Sequence, residues 1–185
     1  MATTNLIVDY LVIGTASLAW GLPVLLALAG TDWLSSVAKA GVVGAVVLVG
    51  SVYVLGICIS RVADWLTDGR NDRIRDEVFG PRPQLTYHNR VNFVVAKSES
   101  ASEYLSYRRS IVRISRSCAV QFAAGCAAWP LAACVGAGGV SLLAGGLGAV
   151  ICGAASYVMW VGWQLVLKGY FGSVKDMYDS LSDSG

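Results

Sequence analysis

An all-α integral membrane protein is predicted, with four transmembrane helices and a cytoplasmic helical hairpin inserted between the second and third. Three observations predict it. Four apolar runs, at about residues 6–30, 40–59, 118–136 and 140–167, carry a single charge between them, Asp9 near the start of the first. Each run is long enough to span a bilayer, because roughly 20 helical residues cross a hydrocarbon core of about 30 Å. Between the two pairs of runs lies a polar block that holds eleven of the 14 basic residues, Arg61 first and Arg116 last.

That block sets the orientation. It is under about 60 residues long, the range in which Lys and Arg bias governs insertion, so it is expected inside. An even number of spans then puts both termini in the cytoplasm with Lys168 and Lys175, and leaves Lys39 alone outside. The plasma membrane of a prokaryote is the expected location. The first ten residues hold no Lys or Arg, so the first run reads as a span and not as a signal peptide. Four segments follow: a first helix pair over 1–60, a charged stalk over 61–117, a second helix pair over 118–168 and a short, frayed tail over 169–185.

In the first run Pro23 removes a hydrogen bond to the carbonyl one turn earlier, which predicts a kink over residues 19–23 and a helix hinge there. Thr31, Asp32 and Trp33 make an outer turn. The second run is expected to continue as helix past Arg61 and Trp65 until Gly69, with a separate short charged helix over 71–79. Gly80, Pro81, Arg82 and Pro83 force a break. Residues 84–97 fit either period, and helix is preferred because a lone strand has nothing to pair with. Ser100 and Glu103 make a capping box that starts a helix at Ala101, with no breaker until Pro130, so the stalk and the third span form one rod.

The last two runs carry rows of small residues at every fourth position. Ala124, Ala128, Ala132 and Gly136 form one; Ser141, Gly145, Ala149 and Gly153 form the other. Such rows let helix backbones approach closely where lipid offers no hydrophobic drive. They predict a tight hairpin, with Gly148, Cys152 and Ser156 as a further row available to a neighbouring protomer. A homo-oligomer is expected.

Arg108, Arg109, Arg113 and Arg116 cluster just before the third run and are candidates for anionic lipid head groups or a cytoplasmic protein partner. The alternative is pairing with acids of the opposing helix, Asp64 through Glu77. Nucleic acid is not expected as a partner, because seven acids in the same block reduce its net charge to +4, that is 11 − 7. Gln121 and Gln164 lie at similar depth on adjacent antiparallel helices, which predicts a mutual hydrogen bond. The five cysteines sit in or beside the runs with no metal or redox spacing and read as small apolar packers.

His88, the single histidine, is the candidate pH sensor, because imidazole is the side-chain type suited to that role. It follows Arg82 with five residues between, a spacing that resembles the Arg and His pair of HEPN-type ribonucleases. The likeness covers two residues, and Pro81 and Pro83 interrupt the helix such a pair needs. No catalytic set, cofactor site or metal cluster can be assembled from the residues, so no enzyme is expected. The function this pattern predicts is a small homo-oligomeric pore or gated channel-like assembly with a cytoplasmic sensing or partner-binding stalk. A non-conducting membrane anchor or scaffold is the alternative.

Overall fold

The computed structural model describes residues 2–30, 39, 41–80, 83–135 and 140–183. Among them the chain is all-helical: α1 (Ala2–Ala16), α2 (Leu18–Ala29), α3 (Gly41–Phe79), α4 (Pro83–Lys97), α5 (Glu99–Cys134) and α6 (Leu142–Asp183). α3, α5 and α6 are each long and apolar enough to cross a membrane. α1 and α2 make a further candidate if counted as one span bent by 46°.

That bend lies at Ser17, two residues ahead of the interval Pro23 predicts. The Ser17 backbone N–H falls back to the Gly14 carbonyl at 3.1 Å and its hydroxyl donates to the same oxygen, so the helical register is lost there. Pro23 sits buried inside a continuous α2. The carbonyl it deprives of a partner is that of Ala19. Gly125 of α5 packs against this oxygen so closely that a methyl group on Gly125 would lie 3.0 Å from it.

α1 and α3 cross on two glycines. A methyl on Gly14 would sit 1.9 Å from the Val52 carbonyl oxygen, and one on Gly56 would sit 2.0 Å from that of Tyr10. Only hydrogen on both residues allows this backbone approach. Beyond the crossing the first turns of α3 leave α1, and Val42, Val43, Val46 and Val47 are exposed at 63–81%. Leu142, Leu143, Val150 and Ile151 of α6 are likewise exposed. Large apolar side chains exposed in such numbers are unusual on soluble monomers.

The other ends of the long helices meet in a polar-faced bundle with an apolar interior. The second half of α3, all of α4, the first half of α5 and the second half of α6 enclose Ile74, Val91, Val94, Leu105, Trp163, Leu167, Tyr170, Phe171 and Val174. The stalk is therefore not a free-standing hairpin. α6 runs unbroken to Asp183, so residues 169–183 are not a frayed tail but a wall of this bundle. α3 likewise passes through Gly69 to Phe79, and no separate helix starts at 71; it stops at Gly80, whose φ of 68° is natural only to glycine. Pro83 then opens α4, where its missing N–H costs no intrahelical bond. The cap of α5 is Ser98, two residues before the expected box, and its hydroxyl oxygen accepts from the Ala101 N–H at 3.3 Å.

Candidate functional site

The two small-residue rows do not face each other. Gly145 packs on Ala133 and the Trp129 carbonyl, Gly148 lies flat against the Trp129 indole, and Ser156 donates to the Ala119 carbonyl at 2.9 Å. The hairpin seam thus uses Ala119, Cys126, Trp129 and Ala133 of α5. Ala124, Ala128 and Ala132 turn instead toward α2 and, with Val24, Ala27 and Leu28, line an apolar groove. Gly153 approaches Cys126, Ala149 is half-buried and Ser141 is exposed; Gly136 lies outside the described residues.

The hydroxyls within the apolar runs bond backbone carbonyls, whereas Gln121 Oε1 and Trp163 Nε1 are buried without a partner among the described residues. Thr15 and Ser51 donate to carbonyls four residues back in their own helices. Gln121 and Gln164 do not bond each other: Gln121 donates to the Ile13 carbonyl at 2.6 Å, and Gln164 accepts from Arg70 at 3.2 Å. The reason is geometric: the Ser17 N–H has turned to the Gly14 carbonyl, which leaves the Ile13 carbonyl, its regular helical partner, to accept from Gln121. His88 is exposed on α4 with its ring tilted against Tyr87; Arg82 lies outside the described residues.

The basic cluster on α5 divides in two. Arg109, Arg113 and Arg116 stand at i, i+4 and i+7 and share one helix face. Arg108 points away and donates to the Tyr104 hydroxyl at 2.8 Å, which holds that phenol below its usual range. On α3, Asp64, Asn71 and Arg75 share a face at i, i+7 and i+11. The two faces meet, with Tyr87 of α4 and Leu167, Tyr170 and Phe171 of α6, around a cavity of about 270 Å³. It lies where the bundle gives way to the apolar runs, with Arg116 two residues before the third of them.

Each arginine is held differently. Arg116, buried, pairs with Asp64 through one Nη, and burial pulls its guanidinium below the usual range. Arg113 binds Asp9 of α1 at 3.1 Å, and the Ser110 hydroxyl donates to the same carboxylate oxygen. Arg75 pairs with Asp72 at 2.5 Å. Arg109 meets no carboxylate among the described residues: its Nε donates to the Tyr170 hydroxyl at 2.7 Å, 2.9 Å from that of Tyr87. Burial, and then Tyr87, push the Tyr170 phenol above its usual range.

The expected pairing with acids of the opposing helix thus applies to Arg116. Sequence reasoning missed Asp9, the ligand of Arg113, although a lone acid in an apolar run was its signal. It also missed Arg75, Asn71 and Tyr170. Among the described residues no group of three or more His, Cys, Asp or Glu could hold a metal ion. Comparison of the chain with family models, curated proteins and solved structures finds no match.

Proposed function

We propose that the chain is an integral membrane protein of four spans with both termini cytoplasmic, self-associating into a pore or gated assembly whose lower bundle is the sensing or partner-binding module. One observation carries the reading. α3, α5 and α6 each run without a break from an apolar run into the bundle, whereas the first run is broken at Ser17 and tied to α5 by Asp9 and Arg113. A rearrangement in the bundle is delivered through three stiff rods to the one span that holds a hinge. The unpartnered valines of α3 supply a face for lipid or a second copy.

Reconstitution tests it. The purified protein in liposomes should release a trapped ion or small dye and run as a multimer in native mass measurement; absence of flux from a demonstrated monomer rejects the gate. The anchor or scaffold remains the second reading. It is favoured by the bonds of the Thr15, Ser51 and Ser156 hydroxyls to backbone carbonyls, which leave few polar groups to line a water path. A multimer without flux, retaining a soluble partner through the bundle, selects it.

A further inference from the structure

We propose that the cavity between α3, α4, α5 and α6 binds a phosphate monoester, its phosphoryl oxygens held by Arg75, Arg109, Arg113 and Arg116. As the trigger of the gate this rests on the reading above; as a binding site it stands on its own geometry.

Four guanidiniums from two helices converge on one cavity against a single lining carboxylate, Asp64. Asp9 and Asp72 hold Arg113 and Arg75 from the side, and Arg109 is left with phenols alone. Arg75, Arg113 and Arg116 are each matched by one carboxylate, so the uncompensated positive charge of the cavity sits on the exposed Arg109, and an anion would neutralise it.

Unsatisfied groups say which anion. Arg75 Nε and Arg116 Nε are buried N–H donors that make no hydrogen bond among the described residues, and Asn71 Oδ1 is a buried acceptor in the same condition. Buried polar atoms of this kind are rare in folded proteins, and of the six among the described residues three belong to residues that line this one cavity. Donors from opposite walls suit a tetrahedral group with several acceptor oxygens better than a planar carboxylate. A monoprotonated phosphate also supplies the O–H that Asn71 Oδ1 accepts.

The remaining wall points to an ester. Its volume of about 270 Å³ exceeds several times the roughly 30 Å³ of a liquid water, so there is room beyond a bare phosphate. Val112, Leu167 and Phe171 give that room an apolar side for the organic substituent. Two sources offer this chemistry: a phosphomonoester lipid head group entering from the adjacent membrane surface, or a free organic phosphate entering from the cytoplasm.

The test titrates full-length protein in detergent with glycerol 3-phosphate, with phosphatidate in mixed micelles, and with sodium chloride at matched ionic strength, reading the thermal midpoint and calorimetric heat. Either phosphate should raise the midpoint in a saturable way that chloride does not reproduce. A response to glycerol 3-phosphate assigns the free source; a response to phosphatidate alone assigns the lipid. Arg109→Gln should weaken the response at least tenfold, while Arg108→Gln, which alters an arginine outside the cavity, should not. Arg109→Lys keeps the charge and serves if Arg109→Gln does not fold. No saturable response to either phosphate, or the same response in Arg109→Gln or in chloride, overturns the site. Failure here leaves the flux test of the gate untouched, and a sealed vesicle with phosphate binding intact rejects the gate alone.

Discussion

The Asp9 carboxylate, 5% exposed in the first apolar run, binds the Arg113 guanidinium at 3.1 Å across a gap of 104 residues. With the Ser110 hydroxyl on the same oxygen, it fastens the bent α1–α2 pair to the rod formed by α5. Removing one member leaves the other charge in a poorly solvated place, which costs more than the pair contributes.

Asp9→Asn is therefore expected to lower stability by about 2 to 3 kcal/mol, somewhat under the range for fully buried pairs because Arg113 keeps partial solvent access. Arg113→Gln should do the same, and the double variant should recover part of the loss. Thermal unfolding in detergent completes the double-mutant cycle. Additive effects within about 0.5 kcal/mol would show that the two residues are not coupled.

The glycine crossing gives a sharper contrast. Gly56→Ala places a methyl 2.0 Å from the Tyr10 carbonyl oxygen, and backbone cannot yield as a flexible side chain does. Loss of about 2 kcal/mol or more is expected, in the range of overpacked cores. Gly50→Ala, on the same helix, meets nothing within 4 Å and should be neutral or mildly stabilising. Equal midpoints for the two variants would mean that α1 and α3 do not cross here.

The helical class and the three long apolar helices were legible because an uncharged apolar run of about 20 residues is read directly from composition. The break at Gly80 was legible for a local reason, since two prolines and a glycine leave the backbone little choice. Gly69 misled because a mid-helix glycine costs only about 1 kcal/mol, which the burial of Ile74 nearby exceeds. The tail misled through its serines and aspartates. Yet Tyr170, Phe171, Val174, Met177, Tyr178 and Leu181 recur at helical spacing, and that period was the signal to read. The arginine face at 109, 113 and 116 can be counted off the sequence, as can the face holding Asn71 and Arg75. Their meeting cannot, because it depends on how two rods cross.

Deleting residues 169–185 tests the role of that last stretch. It removes Tyr170, Phe171 and Val174, each no more than 4% exposed, and with them more than about 5 kcal/mol of apolar burial. The bundle should open while the apolar helices persist. Limited proteolysis should then cut within α4 at protease levels that spare the full chain. Phe171→Ala, a milder version, should cost about 3 to 5 kcal/mol. An unchanged cleavage pattern in the truncated protein would return the segment to the status of a loose tail.

Tyr170 gives the bundle a distinct alkaline limit. Its phenol is pushed above the usual tyrosine range near 10, first by burial and then by Tyr87, so the folded state holds the proton more tightly than the unfolded chain does. For an acid with a raised folded pKa the linkage has one sign: the contribution is full below the unfolded value and declines as pH rises above it. Stability should fall steeply above about pH 10. Spectrophotometric titration should find one of the eight tyrosines ionising only as the bundle unfolds. In Tyr170→Phe that late step should vanish and the alkaline slope should flatten, although stability at neutral pH drops by about 1 kcal/mol with loss of the bond to Arg109. If the late step survives the substitution, the strongly protected phenol is another one.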